Sequence, residues 1–417
     1  SDLARVTSLS GIRTSERDPQ SAMSEVIDMT RIDLAKIRIS RRTLFVSAAA
    51  MTLLGSGTAS AVTEETSFAI GALLPLSGPG AEFGAQEKSA LEAVIEKANA
   101  AGGVRGRRIN LVVRDTKGDP TEAARLANQL IFDQKVIALT TGRGSDTLAI
   151  ADLAVRSKTP IFAMESTLST TDRQAAYFKW VFRICTTPTD DAKLLGETLV
   201  KDGHKRLAVF FSEDAFGQQA ADLIKSVAAE RKDFEIVLST SAALRATDLT
   251  APALAVRRSN ADSVLVLSAA GATMAGTFIR KLRELGSTLP IYGSAALAQP
   301  ATVRAAGPAA EGMTMAAIFN PHEAGPLQPL FEALAPHGGA QGIGSLLGAA
   351  SAATIIEGLR AGATDGATLR DTIERLPPFT PFSAGTVQYT PDDHDGWGAK
   401  NLLLVTVRSG RFINRER

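Results

Sequence analysis

The sequence has little cysteine and histidine, which limits the disulfide and metal chemistry open to it. Its one cysteine, Cys185, excludes an intramolecular disulfide and any multi-cysteine metal site. The four histidines are far apart, and none lies at zinc-ligand spacing from another or from Cys185. We therefore predict that the protein binds no metal and that the histidines lie at the surface.

The sequence also lacks an excess of charge of either sign. Its 45 basic and 44 acidic residues give a net charge of +1, without a long basic or acidic block. Nucleic acids and anionic surfaces attract basic patches, so we predict no nucleic-acid partner. The chain shows no Gly-x-Ser-x-Gly elbow and no Gly-rich phosphate loop that ends in Lys. We predict a protein that is not an enzyme and needs no cofactor; an assay for turnover of a bound ligand would test the enzyme alternative.

The first part of the chain has the three parts of a secretory signal. Residues 31–42 are basic, residues 44–54 are apolar, and residues 59–61 read Ala-Ser-Ala, as at a cleavage site. The segment SRRTLF at 40–45 also resembles the twin-arginine export motif. Since the apolar run is far shorter than the ~20 residues that span a bilayer, it predicts a cleaved leader.

We expect residues 1–61 to be this leader, cleaved near Ala61, with a natural start at Met29. The mature protein would then begin near Val62 in the periplasm. A chain of 417 residues exceeds the usual size of one hydrophobic core, so two domains are expected.

Beyond residue 62, short apolar runs alternate with amphipathic segments. The amphipathic segments include 85–100, 121–133 and 217–230. Strand–helix–strand alternation predicts parallel sheets covered on both faces, with ligands beyond the carboxyl ends of the strands. The strand candidates are 68–74, 109–113, 136–139, 160–163, 207–211, 234–238, 263–267 and 289–292.

Residues 73–84, LLPLSGPGAEFG, lie between the first predicted strand and the first predicted helix. A loop rich in Gly and Ser before a helix can present backbone N–H groups and the positive end of the helix dipole to an anion. Many such loops only turn the chain, so the pattern alone leaves both interpretations open. Asp115 and Asp119, in a turn that ends in Pro120, are interpreted as helix caps, and residues 392–396 as a turn before the last strand.

Seven short motifs follow one another along residues 67–412. They are LPLSGP at 74–79, ANAAGGVRGR at 98–107, RDTKGDP at 114–120, VFR at 181–183, AFG at 215–217, AAEG at 309–312 and VRSGRF at 407–412. In order and spacing they resemble the periplasmic binding proteins of the leucine/isoleucine/valine type. Each motif is weak alone, but together they cover essentially the whole mature chain.

The resemblance implies an α/β fold with two doubly wound parallel-sheet lobes that close over a small ligand. Three crossovers are expected, near Thr186, Asn320 and Pro377. Residues 67–186 and 321–377 would form one lobe, and residues 187–320 and 378–412 the other. The resemblance further implies a monomer that delivers its ligand to the membrane permease of an ABC importer; a sensor with the same clamp is the alternative.

By position in the family, hydroxyl groups in two loops would hold a ligand carboxylate. They belong to Ser145 and to the pair Ser166 and Thr167. Hydroxyls and helix-start N–H groups can bind an anion without adding a competing charge. Ser145 and Thr167 could instead be N-caps. Arg143 could reach the anion or pair with Glu165.

Two aromatic rings occupy matching positions in the two lobes. Phe83, in the loop that contains Ser77, and Phe216 would enclose the apolar body of a ligand from opposite sides. Either ring could instead belong to the core of its own lobe. Both are expected in Gly-flanked loops, and Ser77 is expected at the rim of the same pocket.

The remaining predicted contacts are Gly271 and Ala295, in stretches where amino-acid-binding relatives carry an aromatic residue and a carboxylate. Here residues 268–272 and 293–297 contain neither. An ammonium buried without a counter-charge is costly, which favours a small carboxylate with an apolar or aromatic body. A standard α-amino acid would be a poor ligand unless Glu165 or Asp214 supplied the missing charge; a conventional hydrophobic amino-acid binding protein is the alternative.

Overall fold

The computed structural model describes residues 67–268, 271–323, 325–338, 342–381, 385–397 and 402–416. The predicted leader, residues 1–61, lies outside them. Two sheets organise the described part of the chain. The strands are β1 Ser67–Leu74, β2 Arg108–Asp115, β3 Ala138–Thr141, β4 Ile161–Ala163, β5 Val181–Arg183, β6 Arg206–Ser212, β7 Glu235–Ala242, β8 Ser263–Leu267, β9 Ile291–Gly293, β10 Thr314–Ala317, β11 Leu403–Arg408 and β12 Arg411–Arg415.

The helices connect these strands and cover both faces of the sheets. They are α1 Ala81–Ala100, α2 Pro120–Asn128, α3 Gly144–Ser157, α4 Pro188–Lys201, α5 Ala215–Arg231, α6 Thr250–Arg258, α7 Gly271–Glu284, α8 Pro300–Ala306, α9 Gln328–Leu334, α10 Ile343–Arg360 and α11 Gly366–Ile373. None of the helices in the described ranges has both the length and the apolar character needed to cross a bilayer.

The first sheet has the order β2-β1-β3-β4-β5 and is parallel throughout. The second has the order β12-β11-β10-β9-β8-β6-β7, parallel from β7 to β10 and antiparallel at β11 and β12. In each sheet the chain reverses its direction of travel once, between β1 and β3 in the first and between β6 and β8 in the second. In doubly wound sheets, ligands bind at such reversals, beyond the carboxyl ends of the strands.

The predicted α/β architecture with two parallel-sheet lobes is confirmed. Each predicted strand falls on an observed one, with ends that shift by up to four residues. β5, β10, β11 and β12 have no counterpart among the strand candidates, and the last strand was predicted without bounds. Val181–Arg183 is very short, and Thr314–Ala317 contains no β-branched residue after Thr314. The amphipathic segment 121–133 divides into α2 and a π-helical turn, Gln129–Asp133.

Local capping explains where several helices begin. Asp119 accepts hydrogen bonds from the N–H groups of Thr121 (2.8 Å) and Glu122 (3.4 Å), with Pro120 in the first turn of α2. Asp214 accepts from the N–H of Gly217 at the start of α5 (2.9 Å). The cap predicted for Asp119 is confirmed, whereas Asp115 is the last residue of β2, and its carboxylate accepts the N–H groups of Leu76 and Lys117 instead of capping a helix.

The core has a layer outside each sheet and a larger layer that is continuous between them. Phe210 and Phe278 stack with ring centroids 3.9 Å apart in the layer outside the second sheet. The continuous layer includes Phe182 from the first sheet and Leu265 from the second. Burial of apolar surface therefore joins the two lobes as well as stabilising each one.

The segment after residue 385 returns to the first sheet. The N–H of Arg183 donates to the carbonyl of His394 (2.8 Å), and the N–H of Gly396 donates to the carbonyl of Arg183 (2.9 Å). This stretch therefore lies at the β5 edge, although it follows the predicted crossover near Pro377 and was assigned to the other lobe. The lobe boundaries stay a prediction, and these bonds place residues 394–396 beside the first sheet.

One histidine contradicts the prediction of a surface position. His394 is 1% exposed and stacks on Phe178 and Phe182, with ring centroids 4.4 Å and 4.2 Å away. Its Nδ1 lies 2.9 Å from the carbonyl oxygen of Val181. Burial lowers the pKa of this histidine, so the neutral imidazole belongs to the core.

Asp395 should stabilise the attachment of this segment to β5. The Nε of Arg183, a residue only 1% exposed, donates to its Oδ1 over 2.9 Å, and Thr171 donates to the same oxygen. We expect Asp395→Asn to lower the free energy of unfolding by about 1–3 kcal/mol, because it leaves a buried guanidinium without its counter-charge. Urea unfolding would measure this change in the free energy of unfolding, and the Asp392→Asn variant, at an exposed position, is the control. Equal stability of the two variants would contradict this role.

Candidate ligand-binding site

A cavity lies where the chain reversals of the two sheets meet. Its walls come from the loops after β1, β3, β4, β5, β6 and β9, and from helices α1, α3, α4, α5 and α10. The centres of water-sized molecules can occupy about 90 Å³ of it. One water needs on the order of 10–15 Å³ by this measure, so the space suits several waters or one small molecule.

Seven of the nine residues predicted for the site line this one cavity. They are Phe83, Arg143, Ser145, Ser166, Thr167, Phe216 and Ala295. The two aromatic rings lie in the first turns of α1 and α5, and not in loops as the sequence suggested. Pro75 and Gly80 also line the cavity, so the loop after β1 forms part of its wall. Their contact with a ligand stays a prediction.

Ser77 is not among the described residues that line this cavity. Ser77 is exposed, and its hydroxyl donates to Asp115 over 2.6 Å. Asp115 also accepts from the N–H groups of Leu76 (2.9 Å) and Lys117 (2.8 Å), so it fixes the loop after β1. Gly271 begins α7, and the two residues before it lie outside the described ranges.

The positive end of α3 points to one side of the cavity. The helix begins at Gly144, and neither Ser145 nor Thr167 caps a helix with its side chain. A Cβ on Gly144 would lie 2.0 Å from the hydroxyl oxygen of Thr167 and 2.8 Å from a carboxyl oxygen of Glu165. Position 144 therefore requires glycine, which lets those two side chains lie against the first turn of the helix.

Arg143 pairs across the two lobes. Its Nη2 lies 3.2 Å from Oδ2 of Asp214, and both side chains are less than one tenth exposed. Arg143 follows β3 of the first sheet, and Asp214 follows β6 of the second. The alternative in which Arg143 pairs with Glu165 is wrong, because the ion pair of Arg143 in the described part of the chain is with Asp214. Glu165 accepts the N–H of Thr167 in its own loop. The positive charge of Arg143 is thus already matched at the edge of the cavity.

Three carboxyl groups outside the nine predicted site residues also line the cavity. They belong to Glu87 of α1, Glu165 in the loop after β4, and Asp191 of α4. Burial raises the pKa of Glu87 to about 8 and that of Asp191 to about 7, and it also raises the pKa of Glu165. Burial likewise raises the pKa of the neighbouring Cys185 thiol to about 12, which makes it unreactive at neutral pH.

The sequence did contain a signal for two of these acids. Glu87 falls in the apolar stripe of α1 formed by Gly84, Leu91 and Ile95, and Asp191 has the same relation to Leu194 and Leu195 in α4. A lone carboxylate at a core position is costly unless it has a function or a partner. The argument against an ammonium considered acids after β8 and β9 and allowed for Glu165 or Asp214, but it missed the acids that reach the cavity from helices.

Known proteins that resemble this chain agree with the fold described above. The sequence model of the family described as "Periplasmic binding protein" matches residues 67–411. The Leu/Ile/Val-binding protein homolog 3 of Brucella melitensis is 30% identical over 158 residues, which are 38% of this chain and 42% of that protein. The chain spans about half the length of the curated relatives it matches.

Solved structures agree over a larger part of the chain. An extracellular ligand-binding receptor from Rhodopseudomonas palustris HaA2 has a TM-score of 0.76 at 24% identity, covering 84% of this chain and 99% of that one. A solute-binding protein of an ABC transporter from R. palustris BisB5, in complex with 3,4-dihydroxybenzoic acid, has a TM-score of 0.73 at 22% identity, covering 84% and 96%. At these identities the likeness shows the fold alone.

The raised pKa of Glu87 predicts a stability that falls with pH. Because folding raises this pKa from its ordinary 4.5 to about 8, the contribution is full below pH 4.5 and is lost as the pH rises through 8. In Glu87→Gln the loss of folding stability between pH 4.5 and pH 8 should be smaller than in the wild type, by an amount on the order of several kcal/mol. Thermal unfolding from pH 4.5 to 8.5 would measure it, with exposed Glu96→Gln of α1 as control. Parallel curves for wild type and Glu87→Gln would refute it.

Proposed function

The chain belongs to the periplasmic binding protein family, and on this premise we propose that it is the solute-binding component of an ABC importer. The observation that carries the proposal is the cavity, whose walls come from both lobes at the chain reversal of each sheet. A ligand in that position contacts both lobes, so its binding energy favours the state in which they are closed. The predicted leader would place the protein in the periplasm, where it would deliver the ligand to a membrane permease.

We propose a small ligand that has a carboxylate and an apolar or aromatic body. Ser145, Ser166, Thr167 and the positive end of α3 offer hydrogen-bond donors to the carboxylate. Phe83 and Phe216 approach from the two lobes, and Ile343 and Leu347 of α10 extend the apolar wall. The dihydroxybenzoic acid of the R. palustris protein and the Leu/Ile/Val of the Brucella protein's name both fit this description.

Two measurements would identify the chemical class of the ligand. Native mass spectrometry of protein purified without denaturation would show a small molecule that remains bound. A thermal-shift panel of hydrophobic amino acids and their keto acids would then rank the candidates. If no compound stabilises the protein and no molecule co-purifies, the proposal of a solute-binding protein fails.

Ser145→Ala and Thr167→Ala should each weaken binding of the strongest compound in that panel. Loss of a hydrogen bond to a charged group costs about 1.5–3 kcal/mol, which corresponds to roughly a 10- to 150-fold rise in Kd. Calorimetry would measure it, and Ser226→Ala on the exposed surface of α5 is the matched control. Unchanged affinity in both variants would remove these hydroxyls from the site.

The same compound should bring the lobes together. Arg143 and Asp214 lie on loops of different sheets, so opening of the cleft separates them, and ligand binding should favour their contact. We expect a saturating concentration to lower the radius of gyration measured by small-angle X-ray scattering, since closure expels the water between the lobes. Equal radii with and without the compound would argue against hinge closure.

A further inference from the structure

The three cavity carboxyls point to the charge of the ligand. Resting on the proposed function, we infer that the cavity selects a ligand with a positively charged nitrogen, which binds to Glu87, Glu165 and Asp191. This assigns a cation-recognising wall to α1, α4 and the loop after β4. These acids belong to other elements than the stretches 268–272 and 293–297, where the resemblance places the residues that contact an ammonium, although Asp191 accepts the N–H of Ala295 in the second stretch.

Each of the three carboxyls has an oxygen that is buried and has no hydrogen-bond partner in the described part of the protein. Glu87 is 1% exposed, and its free Oε2 lies against Gly142, where a Cβ would come within 2.2 Å. Asp191 is 9% exposed; its Oδ2 accepts the N–H of Ala295 over 2.9 Å, while Oδ1 has no partner. In Glu165, Oε2 accepts the N–H of Thr167, and Oε1 has no partner.

The nearby guanidinium groups already have other counter-charges. Arg143 pairs with Asp214. Arg183 pairs with Asp395, although its charge also acts on Glu165. The cavity walls have a formal charge of −3 when all their carboxyls are ionised. This charge comes from four acids, Glu87, Glu165, Asp191 and Asp214, and one base, Arg143. A buried carboxylate without a partner costs several kcal/mol, so the empty site favours the neutral acids and a bound cation would favour the charged ones.

The arrangement suits an organic cation better than a metal ion. No group of three His, Cys, Asp or Glu side chains within the described ranges is placed to hold a metal. The acids instead line a cavity that is partly apolar, with Phe83 of α1 and Phe216 of α5 among its walls. Aromatic faces attract an ammonium through their quadrupole, and the unpartnered carboxyl oxygens of the wall can accept its N–H groups.

The inference predicts proton release on binding. Glu87 is faced by Arg143, Asp146 and Glu165, and its pKa of about 8 leaves it protonated at pH 7 in the empty site. Asp191, with Asp190 and Cys185 as neighbours, has a pKa of about 7. A cation lowers both pKa values, so its affinity should rise with pH from 6 to 8. An anion that accepts hydrogen bonds from the neutral acids would show the opposite trend.

Two matched sets of compounds test the inference by calorimetry. Each set has one apolar body: 3-methylbutylamine, leucine and 4-methyl-2-oxopentanoate, and 2-phenylethylamine, phenylalanine and phenylpyruvate. In at least one set, the amine or the amino acid should bind roughly tenfold or more tightly than the keto acid. Its binding should also release protons at pH 7, which is measured by comparing the binding enthalpy in buffers of different ionisation enthalpy. Glu87→Gln and Asp191→Asn should reduce both the preference and the proton release, whereas Glu96→Gln should not.

The outcomes separate this inference from the proposed function. If the keto acids bind as tightly as the nitrogen-bearing compounds or more tightly, the inference is overturned and the proposed function stands. If no member of either set binds and no small molecule co-purifies, both are overturned. A preference for nitrogen that persists in folded Glu87→Gln and Asp191→Asn would assign recognition to other residues and overturn the role given to these acids. Thermal melts establish that each variant is folded.

Discussion

The ion pair between Arg143 and Asp214 is the contact on which the cavity depends. It joins the chain reversal of the first sheet to that of the second, and its two side chains are almost fully buried. Gln86 of α1 and Gln299, just before α8, form a second polar contact between the lobes, 3.1 Å long. A buried pair is weak evidence for stability, but breaking one partner leaves an uncompensated charge. The pair therefore favours one relative position of the two loops, and the cavity is the space that remains between them.

The chemistry of the walls follows from that close approach. Gly142 and Gly144 allow the carboxyl of Glu87 and the hydroxyl of Thr167 to lie directly against the backbone after β3. A methyl group at either position would push these polar atoms away. The same closeness removes water from the carboxyls, and this desolvation, more than any charged neighbour, raises their pKa values. Packing at two glycines thus makes the site responsive to the charge of what enters it.

The two halves of the proposed ligand site differ in how they would bind. The hydroxyls at the start of α3 and the rings of Phe83 and Phe216 are neutral groups that need no change when a ligand arrives. The acids on α1 and α4 change their protonation with the charge of the ligand. A clamp with both kinds of wall can hold a carboxylate at one end and a cationic nitrogen at the other, and the apolar body between them adds affinity through burial.

The sequence by itself determined the fold class, most of the strands and seven of the residues that line the cavity. Apolar periodicity is local, and the loops after parallel strands gather at one edge of a sheet whatever the rest of the chain does. Only the tertiary structure decided that Arg143 pairs with Asp214, 71 positions away, and that Ser77 turns to Asp115. It also decided that the segment of His394 pairs with β5 and that Glu87 and Asp191 enter the cavity from helices. These contacts join residues that are distant in the chain, and the partner of a charged side chain depends on which surfaces meet when the sheets pack.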